Sequence, residues 1–94
     1  MTTFRKRLKL YSKVLDKVGV AHQRAKTVEE CAELINAVCK HDDARITKKE
    51  LITEIADVWI MIEQMALAYG LDAVTAERDY KIKRLETRLN NDTL

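Results

Sequence analysis

Glycine occurs in this 94-residue chain only at positions 19 and 70, and proline does not occur at all. Those two residue types are the strongest helix interrupters, glycine through backbone entropy and proline through its missing N–H. A chain this free of them has little punctuation from which to build strands and tight turns. The sequence therefore predicts an all-α fold, a four-helix bundle whose first and third helices stop at the two glycines. Its length makes it a single domain spanning 1–94, because a second hydrophobic core would not fit. So small a core makes completion by oligomerisation an expectation from the outset.

Apolar residues at three- and four-residue steps mark the helices. The first runs from near Thr3 to Val18, with Phe4, Leu8, Tyr11, Leu15 and Val18 as its stripe. The second runs from about Ala21 to Lys40, with Val28, Cys31, Ala32, Ile35 and Val38 on one face. His41 to Arg45 is the polar connection. Thr47-Lys48-Lys49-Glu50 has capping-box form and opens the third helix, in which Glu50 is expected to reach back to the Thr47 amide. That helix is apolar on nearly all sides, a pattern expected of a helix surrounded by others or shared between subunits. Asp72 is expected to cap a fourth helix reaching about Leu89, followed by a frayed tail.

Hydrophobic residues at 47% and charged residues at 34% fit a globular protein, not a disordered one. The net charge of +2 is too balanced to argue for nucleic acid, and the run Arg5-Lys6-Arg7 with Lys9 is expected to be a solvated face. Cys31 and Cys39 lie about 12 Å apart along one helix, beyond the roughly 7 Å Cα separation a disulfide allows. Both read as reduced thiols, consistent with a cytoplasmic location. The most apolar segment, Ile55 to Tyr69, is interrupted by Asp57, Glu63 and Gln64, so no membrane span is expected.

Two acidic pairs stand out. Glu30/Glu33 and Glu54/Asp57 each have three-residue spacing, which sets both carboxylates of a pair on one helix face about 5–6 Å apart at Cβ. Two such faces turned together offer four hard oxygen donors, the set that Mg²⁺ or Mn²⁺ prefers. Taken alone, Glu30/Glu33 is ordinary helix surface, with Lys26 to Glu30 as an i,i+4 ion pair. Glu54 and Asp57 are harder to dismiss, since carboxylates within an apolar helix cost several kcal/mol unless paired or metal-bound. Trp59 reads either as core or as a stacking surface for a base, with core favoured. His22 and His41 read as surface residues, and neither stands at the E-x-x-H spacing of di-iron bundles.

Glu29-Glu30-Cys31-Ala32-Glu33-Leu34, with twenty residues separating Glu33 from Glu54 in Glu54-Ile55-Ala56-Asp57-Val58, resembles the MazG-like nucleotide pyrophosphohydrolases of the all-α NTP pyrophosphatase superfamily. Gln23-x-x-Lys26 ahead of the first motif and Lys81-Ile82-Lys83-Arg84-Leu85 on a late helix agree with that likeness, which covers about Gly19 to Leu89. The resemblance implies Mg²⁺-dependent hydrolysis of a (deoxy)nucleoside triphosphate to the monophosphate and pyrophosphate, Mn²⁺ being an alternative cation. It implies Glu30, Glu33, Glu54 and Asp57 as catalytic metal ligands, with Lys26, Lys81 and Arg84 as substrate contacts. A homodimer or homotetramer is expected from the same likeness, with neither nucleic acid nor membrane as partner. Two other readings stay open: a nucleotide- or metal-binding regulator without turnover, and a structural helical oligomer whose acids are ion-paired.

Overall fold

A computed structural model describes residues 2–94. Four helices follow one another in chain order: α1 (Phe4–Val18), α2 (Val20–Asp42), α3 (Lys48–Tyr69) and α4 (Leu71–Asn90), and no strand occurs among the described residues. Thr3 caps α1, its Oγ1 accepting from the Lys6 amide at 3.2 Å, and Thr47 caps α3 in the same way from Glu50 at 3.1 Å. Each hydroxyl satisfies one of the amides left unpaired in a first helical turn. Only that half of the expected Thr47–Glu50 box forms, since the Glu50 carboxylate makes no bond back to the Thr47 amide.

Gly19 and Gly70 are single-residue joints with φ of 90° and 116°. L-residues avoid that backbone region, so the chain turns there without a loop and α2 and α4 begin at the next residue. Asp72 therefore does not cap α4. Gly70 occupies the cap position without a side chain to offer, and Asp72 lies within the first turn. The α2–α3 connection is shorter than expected, because α2 continues through His41 and Asp42. The chain then turns at Ala44, whose φ of 58° is left-handed, with the Arg45 amide donating to Lys40 O at 2.7 Å.

Helix α3 is central and packs against each of the other three, whereas α4 packs on α3 alone. The α2–α3 pair is antiparallel: Gln23 meets Gln64 at one end and Glu33 meets Glu54 toward the other. A second tie joins α1 to α3. Arg7 donates from Nε and Nη2 to the two Glu63 oxygens, both at 2.9 Å, and the Tyr11 hydroxyl donates to Glu63 Oε1 at 2.6 Å. Arg7 thus leaves the basic run that was expected to be wholly solvated, because a bidentate carboxylate lies within its reach.

The core is sparse. Its buried apolar residues are Tyr11, Ala37, Met61 and Ala66, joined by the polar Gln23 and Gln64. The apolar face expected to bury α2 points outward instead: Val28 is 70% and Ile35 67% exposed, while the strip bearing Gln23, Glu30 and Ala37 faces α3. Central position does not surround α3 either. Ile52, Ile55, Trp59, Ile60 and Ile62 remain exposed.

Candidate metal centre

The two acidic strips lie face to face across the α2–α3 seam. One carboxylate oxygen from each of Glu30, Glu33 and Glu54 lies within 4.8 Å of the others. Helix periodicity puts Glu30 and Glu33 on one strip, and the antiparallel register set by Gln23 and Gln64 brings Glu54 opposite. Gln23 Nε2 donates to Gln64 Oε1 at 2.7 Å in the buried end of the seam. Asp57 is half-buried one turn along α3 from Glu54, on the same face by its three-residue spacing, but outside the cluster of three.

The Glu30 side chain is only 12% exposed, so it is not the solvated surface acid its neighbourhood suggests. Its Oε1 faces Lys26 Nζ at 3.4 Å, and Lys26 also approaches Glu29 at 3.6 Å. The second oxygen of Glu30 and one oxygen of Glu54 are buried without a hydrogen-bond partner among the described residues. An unpaired buried carboxylate oxygen is costly because it loses its water and gains nothing in return. Glu33 is exposed, and its pKa is pushed above the usual carboxylate range, first by the charge of Glu30 and then by hydrogen bonding to it, with Glu54 adding repulsion. Hydrogen bonding to Glu30 raises the Lys26 pKa in turn, and the nearby Glu29 charge adds to it.

Three mutually repelling carboxylates with two orphaned oxygens form an all-oxygen donor set suited to a hard divalent cation. Glu30, Glu33 and Glu54 would hold it. Beside them opens a recess of about 210 Å³ lined by Glu33, Asn36, Ala37, Lys40, Ile46, Glu50 and Glu54. Its size is below the roughly 300 Å³ at which small-molecule pockets begin. Asn36 and Lys40 sit on α2 one and two turns beyond Glu33, and no motif in the sequence singles them out. Their spacing from Glu33 is the one signal that marks them.

Lys81 and Arg84 lie elsewhere. Both sit on the exposed outer part of α4, where Lys81 pairs with Glu77 at 3.8 Å. Since α4 approaches only α3, one chain does not carry these cations onto the α2 acids. Trp59, expected in the core, is 64% exposed and lines apolar grooves with Ile55 and Glu63. No helix among the described residues is long and apolar enough to cross a membrane. Comparisons with family models, curated proteins and solved structures give no match.

Proposed function

We propose that this chain is a Mg²⁺-dependent nucleoside triphosphate pyrophosphohydrolase, converting a (deoxy)nucleoside triphosphate and water to the monophosphate and pyrophosphate. The observation that carries the reading is the convergence of Glu30, Glu33 and Glu54, with two of their oxygens buried and unpaired. A divalent cation bound there would neutralise phosphate charge in the transition state. The chain's own groups account for the rest. Glu30 and Glu54, each half-buried in the seam with one oxygen left unpaired, would fix the position of that charge. Glu33, exposed at the edge of the recess with a raised pKa, is the carboxylate best placed to orient the attacking water and accept its proton. Water adds to the α-phosphorus and the bond to the bridging oxygen breaks, releasing pyrophosphate. Lys26 and Lys40 flank the acids as point charges for phosphate oxygens, and Asp57 adds a fourth carboxylate one turn away.

Purified protein incubated with each NTP and dNTP plus Mg²⁺ or Mn²⁺ tests this directly. Monophosphate and pyrophosphate are the expected products, and Glu33→Gln or Asp57→Asn should lower turnover by at least about 100-fold. Unchanged turnover in Glu33→Gln would place the chemistry elsewhere.

One observation favours a second reading: Lys26 already pairs with Glu29 and Glu30, as in a structural protein with ion-paired acids. On that reading neither Mg²⁺ nor nucleotide shifts the melting temperature, because a ligand stabilises only what it binds.

A further inference from the structure

Helix α1 carries a charge that the balance of the whole chain conceals. The total of +2 combines two unequal parts. Residues 1–18 hold six basic residues against Asp16, a net of +5, whereas residues 19–94 hold eleven basic against fourteen acidic residues, a net of −3.

Helical periodicity sorts the α1 cations onto one side. At 3.6 residues per turn Arg5, Lys6, Lys9, Lys13 and Lys17 fall within about 120° of arc. The middle of that arc is opposite Tyr11, which is buried and donates to Glu63 of α3. All five cations are exposed. Among the described residues none of them forms an ion pair, and Asp16, the one acid within the arc, is unpaired as well. Arg7, the sixth basic residue, is withdrawn from this face by its two bonds to Glu63. Arg5, Lys9, Lys13 and Lys17 form an unbroken i,i+4 ladder of like charge. In an isolated helix that arrangement is destabilising, and it becomes favourable only beside a dense negative charge.

The geometry of the ladder selects the kind of polyanion. Arg5 to Lys17 spans about 18 Å at 1.5 Å per residue. A nucleic-acid duplex carries one phosphate per strand about every 3.4 Å, so this length faces about five phosphates of one strand. The arc holds no Asn or Gln with which to read base edges, and its lysines meet phosphates as point charges. It also holds no aromatic residue, the stacking platform that single strands require. A membrane fits less well. Surface helices bind lipid by inserting an apolar face, and α1 has turned that face toward α3, leaving Leu10 exposed at the edge of the basic arc.

We infer that the outer face of α1 is a docking surface for a nucleic-acid duplex, held through its phosphates without reading of sequence. The surface is separate from the acidic seam. Glu63, to which α1 is tied, stands nine residues along α3 from Glu54 and therefore on the opposite side of that helix. A duplex on α1 leaves Glu30, Glu33 and Glu54 uncovered.

Fluorescence anisotropy of a labelled DNA duplex of mixed sequence, titrated with the full chain, tests this. Five phosphate contacts predict a log–log salt slope of about −4.5, so binding should weaken about 500-fold between about 50 and 200 mM salt. Unrelated duplexes should compete equally. Lys6→Gln/Lys9→Gln/Lys13→Gln removes three charges at exposed positions with little change in helix propensity, and it should reduce the slope to about −1.8. The corresponding Arg triple should keep the wild-type slope. Lys83→Gln/Arg88→Gln on α4 should leave it unchanged, which separates the α1 ladder from basic charge elsewhere. No salt-dependent binding at low salt, an unaltered slope in the α1 Gln triple, or an equal loss in the α4 pair would each overturn the inference. So would tighter binding to a single strand of equal length or to phosphatidylserine vesicles. None of these readouts involves cation binding or nucleotide hydrolysis, so the docking surface and the acidic site stand or fall separately.

Discussion

Gln23 and Gln64 meet through a 2.7 Å amide–amide hydrogen bond in the buried end of the α2–α3 seam. Both side chains are buried, so the bond forms in a setting where an unpaired amide is heavily penalised. It fixes the antiparallel register of the two helices. Glu54 therefore stands across from Glu30 and Glu33, about two to three helical turns further along, and not a turn above or below them.

Gln64→Ala strands the Gln23 amide in the seam. It should destabilise the protein by about 1–3 kcal/mol in urea denaturation, and it should weaken the Mg²⁺-induced rise in melting temperature. A stable variant with an unaltered cation response would show that other contacts set the register.

Glu54→Gln has opposite effects with and without cation. In the absence of cation it removes an unpaired buried charge and one source of repulsion on Glu33, so the protein should gain about 1 kcal/mol. In the presence of Mg²⁺ or Mn²⁺ the wild-type thermal shift should be lost. Calorimetry in EDTA and in Mg²⁺ separates the two, and an EDTA-treated variant less stable than wild type would contradict it.

Cation binding should also depend on pH. The Glu33 pKa is raised by Glu30, and a cation must displace any proton held there. Mg²⁺ affinity should fall as pH drops from neutrality toward that raised value, with proton release detectable by titration in buffers of different ionisation heat.

The Arg7–Glu63–Tyr11 clasp predicts a second pH dependence. Hydrogen bonding from Arg7 holds the Glu63 carboxyl below its ordinary 4.5 despite burial, with Tyr11 assisting. Its stabilising effect is complete above 4.5 and is lost as pH falls through the lowered value. Burial, followed by the bond to Glu63, pushes the Tyr11 phenol from 10.0 up to about 12. That contribution is complete below 10.0 and is lost as pH rises toward 12. Stability should therefore hold between these limits and fall outside them, and Glu63→Gln should flatten the acid limb. Glu33, with its raised pKa, runs the other way on the acid side, so the comparison with Glu63→Gln isolates the clasp.

Ala44 adopts φ of 58° in the α2–α3 turn. Left-handed backbone costs an L-residue about 1–2 kcal/mol, partly offset by the greater entropy glycine loses on folding. Ala44→Gly should stabilise the protein by about 0.5–1 kcal/mol, measurable as a higher urea midpoint. A destabilised variant would show that the alanine methyl packs to advantage there.

Much of the chain's local structure is legible in the sequence because its causes are local. Gly19 and Gly70 end helices since few other residues tolerate their backbone angles, and Thr47 caps α3 with its own hydroxyl. Asp72 misleads because Gly70 leaves no intervening residue, so α4 begins before an Asp72 cap could form. The two-helix origin of the acidic cluster is also legible, through three-residue spacing on each helix. The burial of Glu30 is not, because periodicity on α2 favours Val28 and Ile35 as the inner face. Arg7 reads as part of a solvated run for a similar reason: its partner Glu63 lies 56 residues away.

By itself the sequence determines four helices, the glycine stops of α1 and α3 and the pairing of carboxylates on helix faces, all of which depend on residues a few positions apart. Tertiary structure alone decides which face of α2 turns inward, that Glu30, Glu33 and Glu54 converge while Asp57 stands aside, and that α4 carries Lys81 and Arg84 away from them. The reason is that helix orientation is set by long-range contacts, Gln23 with Gln64 and Arg7 with Glu63. In so small a chain those polar ties prevail over an apolar stripe that one copy cannot bury.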